Sequence, residues 1–116
     1  REAARQHQRV CQRAAELAEL LELPVAIGSE DIRLTDATLA PGYGRLNDAC
    51  FEAIELAALN EGLLLDPVYT GKTLAGMLHC LRRREAAAPG AALFIHTGGG
   101  PALFAYAKDL EARLDT

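Results

Sequence analysis

Four hydroxyl-bearing side chains stand in turns of the kind that work on small molecules. Tyr43 lies in Pro41-Gly42-Tyr43-Gly44, Tyr69 and Thr70 lie in Asp66-Pro67-Val68-Tyr69-Thr70-Gly71-Lys72, and Thr97 lies in His96-Thr97-Gly98-Gly99-Gly100-Pro101. A phenol projecting into a cleft can orient a substrate and pass a proton, and a threonine hydroxyl offers one donor and two acceptor pairs. Thr97, Gly98 and the following glycines can turn several backbone N–H groups toward an anionic or aromatic ligand, because glycine has no Cβ to block close approach. The same run also serves as an ordinary tight turn, and loop tyrosines also cap cores, so the residues taken singly leave both readings open. Their coincidence in turns that an α/β sheet gathers at one end favours a site.

Other residues are weaker candidates. The glycine spacing is neither that of a phosphate-binding P-loop nor that of a dinucleotide fingerprint. Lys72 could suggest a Schiff-base lysine, but just inside a helix start it reads as solvated or paired with a carboxylate. His7, His79 and His96 lack the clustered spacing that a metal ion needs, and no metal is expected. His96, closing an apolar run, reads as a hydrogen-bonded core residue.

Those turns need elements to hold them. Apolar residues Val10, Ala14, Leu17 and Leu21 predict a helix over about 4–21, ended by Pro24. Residues 25–27 and 32–34 predict one strand plus a turn, or two short strands. A helix over about 46–60 is expected to turn Ala49, Ala53, Leu56 and Asn60 to one side, with Gly62 as its stop. Leu63-Leu64-Leu65 predicts a buried strand, Leu74, Met77, Leu78 and Leu81 a helix, 86–90 a connection, and 91–95 the clearest strand. Pro101 would open a last helix with Leu103, Phe104, Ala107 and Leu110 inward. Strands alternating with helices predict an α/β fold, a mainly parallel sheet with helices on both faces.

The bulk properties narrow the classes. A chain of 116 residues, half of them apolar, has the size of a single α/β unit spanning 1–116. The net charge of -4, with both signs interspersed, gives no reason to expect a nucleic acid or membrane partner. Arg82-Arg83-Arg84 reads as the solvated last turn of a helix, complementing its dipole. An odd count of three cysteines, far apart, argues against a disulfide framework and for a reducing, cytoplasmic compartment. No apolar run is long enough to cross a bilayer, and no signal pattern opens the chain. Arg1 starts within a helical pattern without an initiator methionine, which suggests a piece of something longer.

Three stretches together carry a resemblance. Pro41 to Gly44, Leu63 to Lys72 (Leu-Leu-Leu-Asp-Pro-Val-Tyr-Thr-Gly-Lys) and Leu93 to Tyr106 (Leu-Phe-Ile-His-Thr-Gly-Gly-Gly-Pro-Ala-Leu-Phe-Ala-Tyr) look like the C-terminal part of one enzyme family. That family comprises the D-cysteine desulfhydrases and 1-aminocyclopropane-1-carboxylate deaminases, fold type II pyridoxal-phosphate enzymes of the tryptophan-synthase-β type. The resemblance runs in order from about residue 25 onward, with the same helix before it.

The resemblance implies that this chain is part of the larger cofactor domain of a two-domain enzyme. Thr70 corresponds to the residue facing the cofactor's pyridine nitrogen, glutamate in the deaminases and a hydroxyl residue in the desulfhydrases. Thr97 corresponds to leucine in the deaminases and threonine in the desulfhydrases, with Gly98 beside it at the cofactor. Both positions fall on the desulfhydrase side. Tyr43 and Tyr69 correspond to the tyrosines on the substrate side, expected to orient substrate and relay protons. Leu46 departs from the proline usual after the Tyr-Gly pair, which bears on loop shape more than chemistry. The Schiff-base lysine, the main phosphate loop and the smaller domain cannot be placed here, and Lys72 matches a different family lysine. The expectation is therefore a fragment, inactive alone, of a homodimeric lyase. It would eliminate hydrosulfide from D-cysteine or a related small amino acid, giving pyruvate, ammonia and sulfide. The alternatives are a deaminase or a non-catalytic α/β scaffold remnant.

Overall fold

The computed structural model describes residues 3–83 and 90–114 and divides the chain into two compact units, Arg1–Asp36 and Ala37–Thr116. Residues 86–89 of the expected connection, and Arg84 of the arginine run, lie outside the described residues.

In the first unit, helix α1 (Ala3–Leu20) follows the apolar spacing but stops before Pro24. Its end is a backbone motif: Glu22 takes a positive φ of 49°, its N–H returns to Glu19 O, and Leu23 N–H returns to Ala18 O. Those bonds satisfy the last helical carbonyls, so no proline is needed to stop it. The expected strands at 25–27 and 32–34 are not formed, and a single 3-10 turn, Ser29–Asp31, lies between them. His7 ties helix to turn, its Nε2 lying 3.1 Å from Ser29 O and 2.9 Å from Ile32 O.

In the second unit, α2 (Asp48–Glu61) begins at Asn47, whose side-chain oxygen accepts the Cys50 N–H at 2.8 Å. It ends at Gly62, whose φ of 66° suits a residue without Cβ. Its inward face is Cys50, Ala53, Ile54 and Ala57, one step round from the expected stripe, leaving Leu56 and Asn60 at the surface. Helix α3 (Thr70–Arg82) packs on α2 through Gly71. A Cβ there would lie 2.9 Å from Ile54 Cγ1 and 3.0 Å from Cys50 Sγ, so the missing side chain sets how closely the helices approach. Cys50, Ile54, Ala57 and Leu65 form the buried cluster, with Leu46, Leu74, Phe94 and Leu110 against it. Arg82 adds a two-point contact to Glu52 at 2.7 and 3.2 Å, exposed and therefore worth little. The last helix is two pieces, α4 (Ala102–Ala105) and α5 (Ala107–Leu114), broken at Tyr106. Leu110 reaches the core, whereas Phe104 stays 85% exposed.

The expected parallel sheet is absent: among the described residues the secondary structure is helical, with no strand. The physical reason lies in how each element satisfies its backbone. A helix bonds within itself, whereas a strand exists only as half of a ladder. Residues 62–66 and 91–99 are apolar enough to be strands, yet they form no ladder. Of the leucine triplet only Leu65 is buried, and Leu93 and Ile95 are 85% and 67% exposed. A side chain bridges the two segments without a ladder, His96 Nε2 lying 3.1 Å from Leu64 O.

Candidate functional site

The N-terminus of α3 is built on one carboxylate. Asp66 is fully buried, and its Oδ2 accepts the N–H groups of Val68 and Tyr69 at 2.8 and 2.7 Å. Its Oδ1 accepts the Thr70 N–H at 2.9 Å and the Thr70 hydroxyl at 2.6 Å. A helix start leaves N–H groups without intrahelical partners and carries partial positive charge, and an anionic side chain answers both needs. Burial pushes the Asp66 pKa up, but the bonds from Thr70, Tyr69 and Val68 outweigh it and hold the carboxyl below its usual range. Thr70 closes the arrangement, accepting the Asp66 N–H on its own oxygen at 3.0 Å. Beneath it the Cys50 thiol donates to Pro67 O at 3.4 Å. Burial drives that thiol's pKa up to about 11, Asp66 adding to the rise while Lys72 and Arg113 oppose it.

Opposite stands the loop of residues 37–47, irregular and without a ladder of its own. Side chains hold its carbonyls instead. Asn47 Nδ2 donates to Thr38 O at 2.9 Å and to Ala40 O. Lys72 Nζ donates to Leu39 O at 3.0 Å and Gly42 O at 2.8 Å, and the Tyr106 hydroxyl donates to Gly44 O at 2.5 Å. Thr38 completes the tie, its hydroxyl donating to Lys72 O at 3.2 Å. Lys72 is thus buried and bound to backbone, neither solvated nor carboxylate-paired as its position suggested.

From this loop Tyr43 meets Tyr69. Their hydroxyls are hydrogen-bonded, and their rings stand edge to face with centroids 5.9 Å apart at 67°. Both side chains are exposed, Tyr43 at 80% and Tyr69 at 53%. The bond to Tyr43 raises the Tyr69 pKa, since losing its proton would leave two oxygens facing one another with less hydrogen bonding.

The glycine turn arrives from the other side. Gly99 has a φ of 91°, and a Cβ on it would lie 2.5 Å from Asp66 Oδ1, so the turn passes directly over the helix-capping carboxylate. Gly98, with φ 101°, donates its N–H to His96 Nδ1 at 3.1 Å and has open space on its Cβ side. His96 is hydrogen-bonded as expected but exposed, not a core residue. Thr97 is exposed and its hydroxyl bonds to no described residue.

Three turns therefore converge at the start of α3. Tyr43 and Tyr69 are paired, Thr70 lies next to Tyr69 yet turns inward to Asp66, and Thr97 is exposed. Asp66, Lys72 and Asn47 were not among the site residues read from sequence. An aspartate four residues before a helical threonine is a capping signal, and Asn47 before Asp48 is another. Nothing local announces that Lys72 meets a loop some 30 residues away.

No family model matches the chain. Over 76 residues it is 57% identical to the D-cysteine desulfhydrases of Salmonella paratyphi B, Salmonella newport and Salmonella heidelberg. The matched stretch covers 66% of this chain and 23% of each relative, so the chain spans about a quarter of the proteins it resembles.

Proposed function

We propose, from a chain that matches the D-cysteine desulfhydrase family over those 76 residues, that the full-length protein is a pyridoxal-phosphate-dependent lyase acting on D-cysteine or a related β-substituted amino acid. In the reaction the Cα–H proton is removed, the Cβ–S bond breaks with sulfur leaving as hydrosulfide, and water takes the nitrogen off as ammonia, leaving pyruvate. The observation that carries this reading is the exposed, hydrogen-bonded Tyr43–Tyr69 pair at the capped start of a helix.

The donor set accommodates such a cofactor at the glycine turn. Thr97 offers an uncommitted hydroxyl, and Gly98 leaves open space beside it. Thr70 gives its proton to Asp66, so toward a ring nitrogen it has only an oxygen lone pair to offer, and Thr97 is the donor of the two. When bound, pyridoxal phosphate supplies the electron sink that stabilises negative charge at Cα. The chain's own part is to orient and to move protons. The paired phenols share one hydrogen bond, so either can take a proton while the other turns to donate, which suits a group beside a departing sulfur.

A fully functional protein also needs the Schiff-base lysine and the smaller domain that the resemblance places upstream, and we assign it a homodimeric state on the same ground. Three free cysteines are consistent with a cytoplasmic setting, and no described helix is long and apolar enough to cross a membrane. The test is direct. Full-length protein supplied with pyridoxal phosphate and D-cysteine is expected to release sulfide and pyruvate in equal amounts, and Tyr43→Phe to slow release by about a hundredfold. Cofactor bound with no sulfide released rules out D-cysteine and redirects the assay to amino acids carrying other β-leaving groups.

A further inference from the structure

Tyr43 has little to hold it in place. It is 80% exposed, and the ring contact described for it is the edge-to-face one with Tyr69. Its position is therefore the position of its backbone, and that backbone belongs to a loop without helix or ladder. Two side chains grip the loop on the Tyr43 side: Tyr106, whose hydroxyl holds Gly44 O just after Tyr43, and Lys72, a lysine 5% exposed whose Nζ reaches the carbonyls of Leu39 and Gly42, the latter on the residue just before Tyr43. Lys72 sits one turn into α3, three positions after Tyr69, so a single side chain joins the backbone segments that carry both phenols.

We propose that Lys72 is the positioning residue of the tyrosine pair: its buried ammonium, shared between the carbonyls of Leu39 and Gly42, fixes the loop so that the Tyr43 hydroxyl lies on that of Tyr69. An ammonium suits this task. It has three donors and no acceptor, and a bond from a charged donor to a carbonyl is stronger than one from a neutral donor. Asn47 grips the same loop further back, at Thr38 and Ala40, and does not reach the Tyr43 end. The distance between the phenols, and so the proton they share, is set by a residue whose hydrogen bonds go to neither of them but to the carbonyls of Leu39 and Gly42.

This inference rests on the proposed function only for its kinetic arm. Full-length protein labelled with tyrosine carrying carbon-13 at Cζ gives a resonance for Tyr69, assigned by its loss in Tyr69→Phe, and Tyr43→Phe shows how that resonance shifts when the partner hydroxyl is gone. In Lys72→Met the Tyr69 resonance is expected at the Tyr43→Phe position although Tyr43 is present. Its staying at the wild-type position overturns the proposal, whatever reaction the protein performs. In the kinetic arm, Lys72→Met is expected to lower kcat ten- to a hundredfold, about what a 1 Å misplacement of a reacting group costs. The same change added to Tyr43→Phe should lower it no further, because the two act on one hydrogen bond. A loss that multiplies fully in the double variant overturns the proposal, since a general weakening of the fold would not spare the protein lacking the Tyr43 hydroxyl. Should Lys72→Met fail to fold, Tyr106→Phe combined with Asn47→Ala gives the answer: a Tyr69 resonance unmoved there shows that the Lys72 grip suffices. A resonance moved to the Tyr43→Phe position assigns the loop to Tyr106 and Asn47 instead and overturns it.

Discussion

Replacing Asp66 by asparagine swaps one acceptor oxygen for an NH2 group in a buried site where four donors converge, from Val68, Tyr69 and Thr70 twice. The amide can turn either way. With its oxygen toward Val68 and Tyr69, its NH2 meets the Thr70 oxygen, which can rotate its proton away, but the Thr70 N–H is left without a partner. The other orientation strands two N–H groups and is worse. One buried orphaned N–H costs about 1–3 kcal/mol. Removing the charge from the start of α3 adds about 0.3–1 kcal/mol. The sum is about 1.3–4 kcal/mol, read as the loss of unfolding free energy in urea at pH 7 with unchanged slope. Acidity supplies the second half of the test. The folded-state pKa of Asp66 lies below the usual value, so the carboxylate contributes stability above the unfolded value of about 3.9 and loses it as pH falls through the folded one. The gap between wild type and variant should hold its full size at neutral pH, narrow below about pH 3.9, and close at lower pH. A gap that is absent at pH 7, or constant down to pH 2, refutes the reasoning.

Two further changes probe the neighbours. Gly99→Ala places a methyl group 2.5 Å from Asp66 Oδ1 on a residue with φ 91°, and is expected to cost about 1–3 kcal/mol in the same urea assay. Cys50, buried with its pKa pushed up to about 11, should resist iodoacetamide at pH 8 in the native protein and react once denatured, as peptide mass spectrometry will show.

How much of this was legible in the chain depends on how far each feature reaches. Features fixed by near neighbours could be read: the extent of α1, the start of α3 near Thr70, the glycine stop at Gly62 and the proline opening at Pro101. The sheet could not, because apolar runs such as Leu63-Leu64-Leu65 carry a strand signal whose meaning depends on what lies alongside, and here nothing in the described residues pairs with them. The burial of Ala57 in place of Leu56 on α2 follows from how α3 approaches, which periodicity alone does not state. At the site, the turns of Tyr43 and Tyr69 were expected to gather at one end of a parallel sheet; no sheet forms among the described residues, and the two hydroxyls are hydrogen-bonded at the start of a helix instead. The inward turn of Thr70 was not anticipated, since it comes from Asp66, read as part of a turn when its work is to cap a helix. Lys72 was misjudged for a related reason: a lysine's surroundings are set by whatever part of the chain folds over it.

The passage of Gly99 over the Asp66 carboxylate has a practical consequence for protein engineering. Anyone transplanting the 96–101 turn into another scaffold must carry over a short acidic side chain beneath it and a residue without Cβ above it, as one cassette. Moved alone, the turn would lose the floor against which its shape is set.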